Sequence, residues 1–364
     1  MSGEKAVVRG YELESNFTHL GTDAQWAFAR KDGKDWFIKR FFDPVWPKDT
    51  KAYDAAYIEK QAKECKRFYE RKRKLYDAVA KCDNGNVVTV KEFFMENSKY
   101  HVVTERVHAE NIDLKKDISR LPEKEKYLLL RTITMNMMKL HEYGIVYADI
   151  RPDNILYKRS ASGKLVAKLI DFDGSFFEND QPEKGIPLSE PYIAPETAEL
   201  LFEGKEVHLT RKVDVFSLGL LFHLYWTGEM PDFDETQYDF ACEALNCGGV
   251  LTVSPLIPFH LAALIRMMLL KNPADRPTMA QVFEELKAIQ EGKPSTLGGK
   301  PKPPVKPVTE TTTPPSGGFT VKINFGSSAD KSGRAVIEET GTSPAATPPA
   351  DKESDGLWSI PDGF

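Results

Sequence analysis

Three side chains with oxygen donors, Asp149, Asn154 and Asp171, lie at a spacing that suits phosphoryl transfer. An acid five residues ahead of an Asn, followed by a second acid after an apolar run, can do two jobs. One carboxylate orients an attacking hydroxyl group, while the amide and the second carboxylate hold a Mg²⁺ ion that neutralises phosphate charge. Mg²⁺ is a hard cation and prefers oxygen ligands. The spacing therefore predicts Asp149 as a catalytic base and the other two residues as metal ligands.

The flanks of this set resemble the catalytic loop of eukaryotic-like (Hanks-type) serine/threonine protein kinases. The resemblance rests on residues 140–148, which precede Asp149, and on the sequence Asp-Phe-Asp-Gly at 171–174. It implies Mg-ATP-dependent transfer of phosphate to serine and threonine hydroxyls of protein substrates, with autophosphorylation. The implied cofactors are ATP and Mg²⁺, with Mn²⁺ as an alternative. Arg151 stands where the family usually has a lysine that contacts the γ-phosphate, a contact that a planar guanidinium can also make.

Three further segments resemble the larger lobe of protein kinases. They are residues 191–196, residues 214–219 and residues 272–278. The resemblance implies a largely buried ion pair between Glu196 and Arg276, which indicates a specified architecture more than stability. Small-molecule kinases share the catalytic loop but generally lack these segments. Ser189, three residues before Tyr192, stands where the Ser/Thr-specific members have a threonine.

The lysine that reaches the α- and β-phosphates of ATP in this family is matched by Lys39, at the end of an apolar run. The resemblance implies a glutamate partner from a long helix, and Glu59, Glu64 and Glu70 are available. In the family an apolar residue follows that glutamate by four positions and packs towards the metal motif. Phe68 follows Glu64, whereas lysines follow the other two. We therefore expect Glu64 to pair with Lys39.

The glycine-rich loop departs from the family pattern. Residues 20–26 keep one glycine, Gly21, and place Asp23 and Trp26 near the positions of the others. Glycines let backbone N–H groups approach phosphates without crowding by Cβ. We therefore expect this loop to hold ATP less closely than usual.

The adenine pocket is also expected to differ. Phe37 replaces the small residue that usually covers the adenine, and a two-residue turn at 32–33 would place Phe28 opposite it. The two rings either crowd the pocket or enclose the adenine differently. The resemblance implies further nucleotide contacts from Thr104, Glu105 and Val107.

Three substitutions lie next to the catalytic residues. Tyr147 and Ala148 replace the usual His-Arg pair before Asp149, and Asp173 replaces the glycine after Phe172. Ala148 removes the arginine that would pair with a phosphorylated activation segment. The extra carboxylate of Asp173 either adds a Mg²⁺ contact or is solvated, and we expect the latter.

The order of elements predicts an α+β, bilobal protein-kinase-like fold. Short strands and one long helix (51–80) make a small β-rich lobe. The larger α-helical lobe is predicted to contain helices over 123–142, 196–202, 211–227, 234–246, 258–270 and 279–290. We predict a kinase-like domain over 8–291 and a Pro/Gly/Ser/Thr-rich linker over 292–318. The remainder, 319–364, is expected to be a largely disordered tail with two docking segments, 319–325 and 356–364.

Charge and composition narrow the partners. A net charge of −5 and a pI near 5.9 give no electrostatic reason to expect binding to nucleic acid or an anionic membrane. The sequence lacks an 18-residue apolar stretch and a signal peptide, and its four cysteines lack metal-ligand spacing. These features favour a cytoplasmic protein with reduced thiols that resembles compact stand-alone bacterial kinases.

Two functions remain open at this point. An active kinase is favoured because Lys39, Asp149, Asn154 and Asp171 are all present. The alternative is a pseudokinase-like scaffold or regulatory binding module with weak nucleotide binding, which the glycine-poor loop, Phe37 and the tail support. In either case the tail is expected to dock on the body of the chain itself or on a partner.

Overall fold

A computed structural model describes residues 6–20, 24–47, 53–110, 112–113, 117–159, 163–182, 186, 190–295 and 297. Gly21, Ser189 and both predicted docking segments, 319–325 and 356–364, lie outside these residues.

The small lobe is built on one antiparallel sheet. Its strands are β1 (Val7–Val8), β2 (Tyr11–Leu13), β3 (Thr18–Leu20), β4 (Ala24–Lys31), β5 (Lys34–Phe41), β6 (Val90–Glu96) and β7 (Lys99–Glu105). The strand order is β1-β2-β4-β5-β7-β6, and β3 also pairs with β4. Asp32 and Gly33 connect β4 to β5 with φ angles of 52° and 70°, as a two-residue hairpin turn requires. The predicted hairpin and its Asp-Gly turn are therefore confirmed.

One long helix, α1 (Ala55–Lys81), lies beside the sheet. It lacks proline and glycine and begins at an Asp54 cap, whose carboxylate accepts a hydrogen bond from the Tyr57 N–H at 2.7 Å. Its buried face packs Cys65 and Tyr76 with sheet residues, and the Phe68 ring lies 5.3 Å from that of Phe41. This packing fixes which side chains of α1 face the metal motif.

The larger lobe is helical. Its helices are α2 (Glu123–Glu142), α3 (Pro195–Phe202), α4 (Lys212–Thr227), α5 (Ala241–Asn246), α6 (Phe259–Met268) and α7 (Met279–Gln290). Two short strand pairs carry the catalytic segments: β8 (Ile145–Val146) with β11 (Phe176–Phe177), and β9 (Ile155–Arg159) with β10 (Leu165–Leu169). Helix α4 is buried from Val213 to Trp226, as expected for the central helix of a lobe.

A buried ion pair links α3 to the segment before α7. The Arg276 guanidinium donates to both carboxylate oxygens of Glu196, at 2.7 and 2.8 Å, and its side chain is fully buried. The same guanidinium donates to the backbone oxygens of Leu270, Lys271 and Lys212. The ion pair expected from the sequence is present, and the architecture is the predicted α+β bilobal fold.

Candidate active site

The catalytic loop connects β8 to β9 and holds two of the predicted site residues close together. Asp149 and Asn154 are both buried, and Asn154 is the last residue of a short 3-10 helix, Pro152–Asn154. The Asn154 side-chain amide donates to the Asp149 backbone oxygen at 2.9 Å. The Asn154 backbone oxygen in turn accepts from the Ile170 N–H at 3.0 Å, next to Asp171. The loop and the metal motif are thus joined by hydrogen bonds.

The buried carboxylate of Asp214, on helix α4, accepts hydrogen bonds from the backbone that leads into this loop. Oδ2 of Asp214 accepts from the Tyr147 N–H at 2.9 Å, and Oδ1 accepts from the Ala148 N–H at 2.8 Å. Nε2 of His141 lies 2.8 Å from Oδ2. Ala148 has φ 63°, an uncommon conformation for a residue with a Cβ, and it immediately precedes Asp149. Asp214 therefore holds the strained backbone that positions Asp149.

The ring before the catalytic loop packs against the metal motif. Tyr147 meets Phe172 edge-on, with ring centroids 5.2 Å apart, and its hydroxyl donates to the Ile170 backbone oxygen. Burial, and then the nearby carboxylates, raise the pKa of Tyr147 well above its usual value. Tyr147 therefore stays a neutral hydrogen-bond donor.

Lys39 crosses from β5 to the metal motif. Its ammonium donates to Oδ2 of Asp171 and to Oδ2 of Asp173, both at 2.7 Å. Burial alone would lower the pKa of Lys39, but the two carboxylates raise it above its ordinary value. Burial alone would raise the pKa of Asp173, but Lys39 and then Lys72 hold it well below its usual value. Lys39 and Asp173 are therefore both charged at neutral pH.

Glu64 does not take part in this cluster. It lies on the exposed face of α1, as do Glu59 and Glu70, and the carboxylates that meet Lys39 are Asp171 and Asp173. The part of α1 that faces the metal motif carries Lys72 and Tyr76 instead. Position 72 lies eight residues beyond Glu64, about 12 Å further along the helix axis at 1.5 Å per residue. The expectation for Glu64 was therefore wrong in helix register. The part of α1 that faces the metal motif lies just over two turns after Glu64.

Asp173 is enclosed by these two helix residues, contrary to the expectation that it is solvated. Its Oδ1 accepts from the Tyr76 hydroxyl at 2.7 Å, and its backbone oxygen accepts from the Lys72 ammonium. Its side chain keeps 18% of its surface exposed. The sequence signal for this arrangement was the extra acid in the metal motif, but no local pattern placed Lys72 and Tyr76 beside it.

Arg151 lies in the catalytic loop and is mostly buried. Its Nε donates to the Asp153 carboxylate at 3.0 Å, and its Nη2 contacts the same oxygen. The exposed fraction of the Asp153 side chain is 73%, so this pair lies at the solvent side of the loop.

Aromatic rings cover the face of the sheet that carries Lys39. Trp26 is the cross-strand partner of Lys39, and Phe28 is the partner of Phe37, as expected from the turn. Side chains that are directly opposite share a face. The Trp26 ring is stacked on that of Phe37 at 5.6 Å and meets that of Phe28 edge-on at 4.9 Å.

The end of β7 borders this aromatic group. Thr104 pairs with Phe37 in the sheet, and it is followed by an exposed Glu105 and a partly buried Val107. The Arg106 guanidinium lies 3.6 Å from the centroid of the Phe28 ring. Neither the Arg106 contact nor the stacking of Trp26 could be predicted from the sequence, because both depend on contacts between strands.

Hydrogen bonds from both lobes anchor the segment after the metal motif. Glu178 accepts from Nε of Arg211 at 2.9 Å, and the Asp180 backbone oxygen accepts from Nη2 of Arg71 at 2.8 Å. The Gln181 side-chain amide donates to the Leu209 backbone oxygen at 2.8 Å. Ser175 is buried and donates to the Tyr147 backbone oxygen at 3.0 Å. These contacts hold residues 175–181 to helix α1 and to the large lobe.

The donor set near Lys39 fits a magnesium ion better than a softer metal. Asp171 offers carboxylate oxygens and Asn154 an amide oxygen, and Mg²⁺ in kinases uses such groups together with substrate phosphates and water. The described residues contain no cluster of three or more His, Cys, Asp or Glu side chains that would hold a metal without a substrate.

Each helix among the described residues is too short or too polar to cross a membrane. All four cysteines are free thiols, and three of them are buried.

Known proteins with similar sequences are protein kinases. NUAK family SNF1-like kinase 2 of Rattus norvegicus is 30% identical over 220 residues, which cover 58% of this chain and 32% of that protein. Serine/threonine-protein kinase ppk6 of Schizosaccharomyces pombe is 28% identical over 208 residues, covering 55% and 24%. Sperm motility kinase 2B of Mus musculus is 27% identical over 204 residues, covering 55% and 40%. The chain thus spans well under two thirds of the length of these relatives.

The family model described as "Protein kinase domain" matches residues 50–286. That range includes α1, the catalytic loop, the metal motif and the buried Glu196–Arg276 pair. The chain therefore belongs to the protein kinase family, of the eukaryotic-like Hanks type.

Proposed function

We propose that this chain transfers the γ-phosphoryl group of Mg-ATP to serine and threonine hydroxyls of proteins. The observation that carries this proposal is the meeting of Lys39, from the small lobe, with Asp171 of the metal motif at 2.7 Å. Ile170, the residue before Asp171, donates its N–H to the backbone oxygen of Asn154, in the loop that also carries Asp149. A scaffold that does not catalyse would have no need to bring these four residues together.

Each residue has a role in this proposal. Asp149 accepts a hydrogen bond from the substrate hydroxyl and orients it towards the γ-phosphate. Asn154 and Asp171 are the ligands for Mg²⁺, with Mn²⁺ as an alternative ion, and Lys39 contacts the α- and β-phosphates. Arg151, two residues after Asp149, contacts the γ-phosphate. Bound Mg-ATP supplies the transferred group and the cation that offsets its negative charge.

Nucleotide binding is proposed to be modest. Phe37 and its stacked neighbour Trp26 lie on the face of the sheet that carries Lys39, where the adenine ring would be covered. Thr104, Glu105 and Val107 border that face and remain the proposed adenine contacts, and Gly21 is the proposed phosphate contact. These rings are also the feature that favours the alternative function, a pseudokinase-like scaffold or regulatory module with weak nucleotide binding.

We also propose a domain organisation for the chain. We assign residues 8–291 to the kinase domain, residues 292–318 to a linker and residues 319–364 to a tail. Segments 319–325 and 356–364 are proposed to dock on this chain or on a partner, since the tail ends in large apolar side chains that include Trp358. Four free thiols suit a reducing, cytoplasmic compartment.

The test is incubation of the full chain with γ-labelled ATP, Mg²⁺ and a generic basic protein substrate, followed by phosphosite mapping. Label on serine and threonine, in the substrate and in the chain itself, supports the proposal. Absence of label with the wild type, while ATP binds, would favour the scaffold. An Asp149→Ala variant in parallel excludes label from a contaminating kinase.

A further inference from the structure

Each oxygen atom of Asp173 accepts a hydrogen bond. Oδ2 accepts from the Lys39 ammonium and Oδ1 from the Tyr76 hydroxyl, each at 2.7 Å, while the backbone oxygen accepts from Lys72. The backbone N–H of Asp173 donates to Oδ1 of Asp171 at 3.2 Å. Both carboxylate oxygens and both backbone polar atoms of Asp173 are therefore hydrogen-bonded, and these four bonds fix the orientation of the residue.

The position of Lys72 on α1 explains why the anion is needed there. In protein kinases a glutamate from this helix pairs with the phosphate-binding lysine, and the pair must be in place for activity. The residue of α1 that faces the same site is Lys72, which carries the opposite charge, and Tyr76 follows it by one turn. Without Asp173, Lys39 and Lys72 would be two neighbouring cations with Asp171 as the carboxylate in contact with Lys39.

Asp171 alone would be a poor partner for Lys39 during turnover. In the proposed function its oxygens are required for Mg²⁺, and this inference rests on that function. One carboxylate oxygen of Asp173 accepts a hydrogen bond from Tyr76, and the other stays available to Lys39.

We propose that Asp173 is the positioning residue for Lys39, and that it does from the metal motif what a helix glutamate does in other protein kinases. Lys72 and Tyr76 attach α1 to the same residue. The placement of Lys39 is consequently set by the segment that also carries Asp171, two residues away, and not by a carboxylate of the helix.

A double-mutant cycle on the full chain tests this proposal, with the variants Asp173→Asn, Lys39→Met and the two combined. A residue that acts through Lys39 loses its effect once Lys39 is gone. We expect Asp173→Asn to lower kcat at least about tenfold with an ATP KM within about threefold of wild type, but to change kcat less than about twofold in the Lys39→Met background. The exposed acid Asp77 provides the matched control, and Asp77→Asn should leave kcat unchanged.

A second cycle uses the stability of the nucleotide-free protein and does not depend on activity. The losses of unfolding free energy for Asp173→Asn and Lys39→Met should be non-additive, because each variant breaks the same contact. A kcat within threefold of wild type in Asp173→Asn, or additive losses in both cycles, would overturn the assignment. A wild-type chain that transfers no phosphate would instead refute the proposed function.

Moving the acid from residue 173 to residue 72 gives a third test, again read out as kcat. Asp173→Gly combined with Lys72→Glu recreates the usual family arrangement. We expect Asp173→Gly alone to lower kcat and the double variant to recover at least about fivefold of that loss, which a general structural defect at residue 173 would not produce.

Discussion

Replacing Asp214 by asparagine should disable the site from outside it. Asp214 accepts hydrogen bonds from the N–H groups of Tyr147 and Ala148 and lies 2.8 Å from Nε2 of His141. The two backbone bonds go to different carboxylate oxygens. In Asp214→Asn an NH₂ group takes the place of one oxygen, so one buried N–H loses its acceptor whichever way the amide turns.

The cost follows from these contacts. A hydrogen bond to a charged acceptor contributes about 1.5–3 kcal/mol, and a buried N–H left without an acceptor costs about 1–3 kcal/mol. We therefore expect the free energy of unfolding to fall by about 3 kcal/mol in Asp214→Asn. Ala148 would lose support for a conformation that costs about 1–3 kcal/mol, and the adjacent Asp149 would move with it. Misplacement by about 1 Å lowers rates about 100-fold, so kcat should fall by at least that factor.

Initial rates of phosphoryl transfer and urea titration measure the two effects separately. The exposed Asp239 supplies the control, since Asp239→Asn removes a carboxylate from the same lobe without touching the catalytic loop. A kcat within threefold of wild type in Asp214→Asn, in a protein of normal stability, would refute the reasoning that Asp214 holds Asp149 in place.

Three further predictions follow from other contacts. Arg276→Met should lower the free energy of unfolding by about 3–5 kcal/mol in a denaturant titration, because Glu196 is left buried without its partner. Phosphatase treatment should leave the initial rate unchanged, because contacts such as Arg211–Glu178 anchor residues 175–181 and Ala148 removes the arginine that would pair with a phosphate. Phe37→Ala should tighten ATP binding or change the preference between ATP and GTP in a titration, because it removes a ring from the adenine side of the cleft.

Each of these predictions has a matched comparison. Arg266 is an exposed arginine of α6, and Arg266→Met should be nearly neutral; equal losses in both arginine variants would contradict the account of the buried pair. A lag that autophosphorylation removes would count against the phosphate-independent segment. Trp36 lies on the opposite face of β5, so Trp36→Ala should not change nucleotide preference. Unchanged affinities in Phe37→Ala would mean that the ring does not reach the nucleotide.

The sequence was sufficient for features whose determinants are local. Asp149 and Asn154 lie in one short loop, so their spacing alone predicts that they are neighbours, and the Asp-Gly turn determines the register between Phe28 and Phe37. The Glu196–Arg276 pair is far apart in sequence, but each member lies in a recognisable segment. The long helix was predictable because its sequence is long and free of proline and glycine.

The partner of Lys39 could not be obtained in this way. The register of α1 against the sheet depends on the packing of Cys65 and Phe68, which leaves no pattern near Lys39. The family pattern implies an acidic helix residue at this site, whereas the helix residue that faces it is Lys72.

A turn caused a smaller error in the large lobe. A helix predicted over 234–246 begins at Ala241 instead, because the Asp234 side chain accepts hydrogen bonds from the N–H and hydroxyl of Thr236 and stabilises a turn.

The most direct test of the central claim is the rate of phosphoryl transfer by Asp149→Asn, measured beside its affinity for Mg-ATP. Asp149 is assigned to the substrate hydroxyl and not to the nucleotide or the metal. We therefore predict a rate at least about 1,000-fold below wild type with an ATP dissociation constant within about threefold of wild type. A variant that retains a rate within tenfold of wild type would contradict the assignment of Asp149 as the catalytic base and, with it, the proposed mechanism.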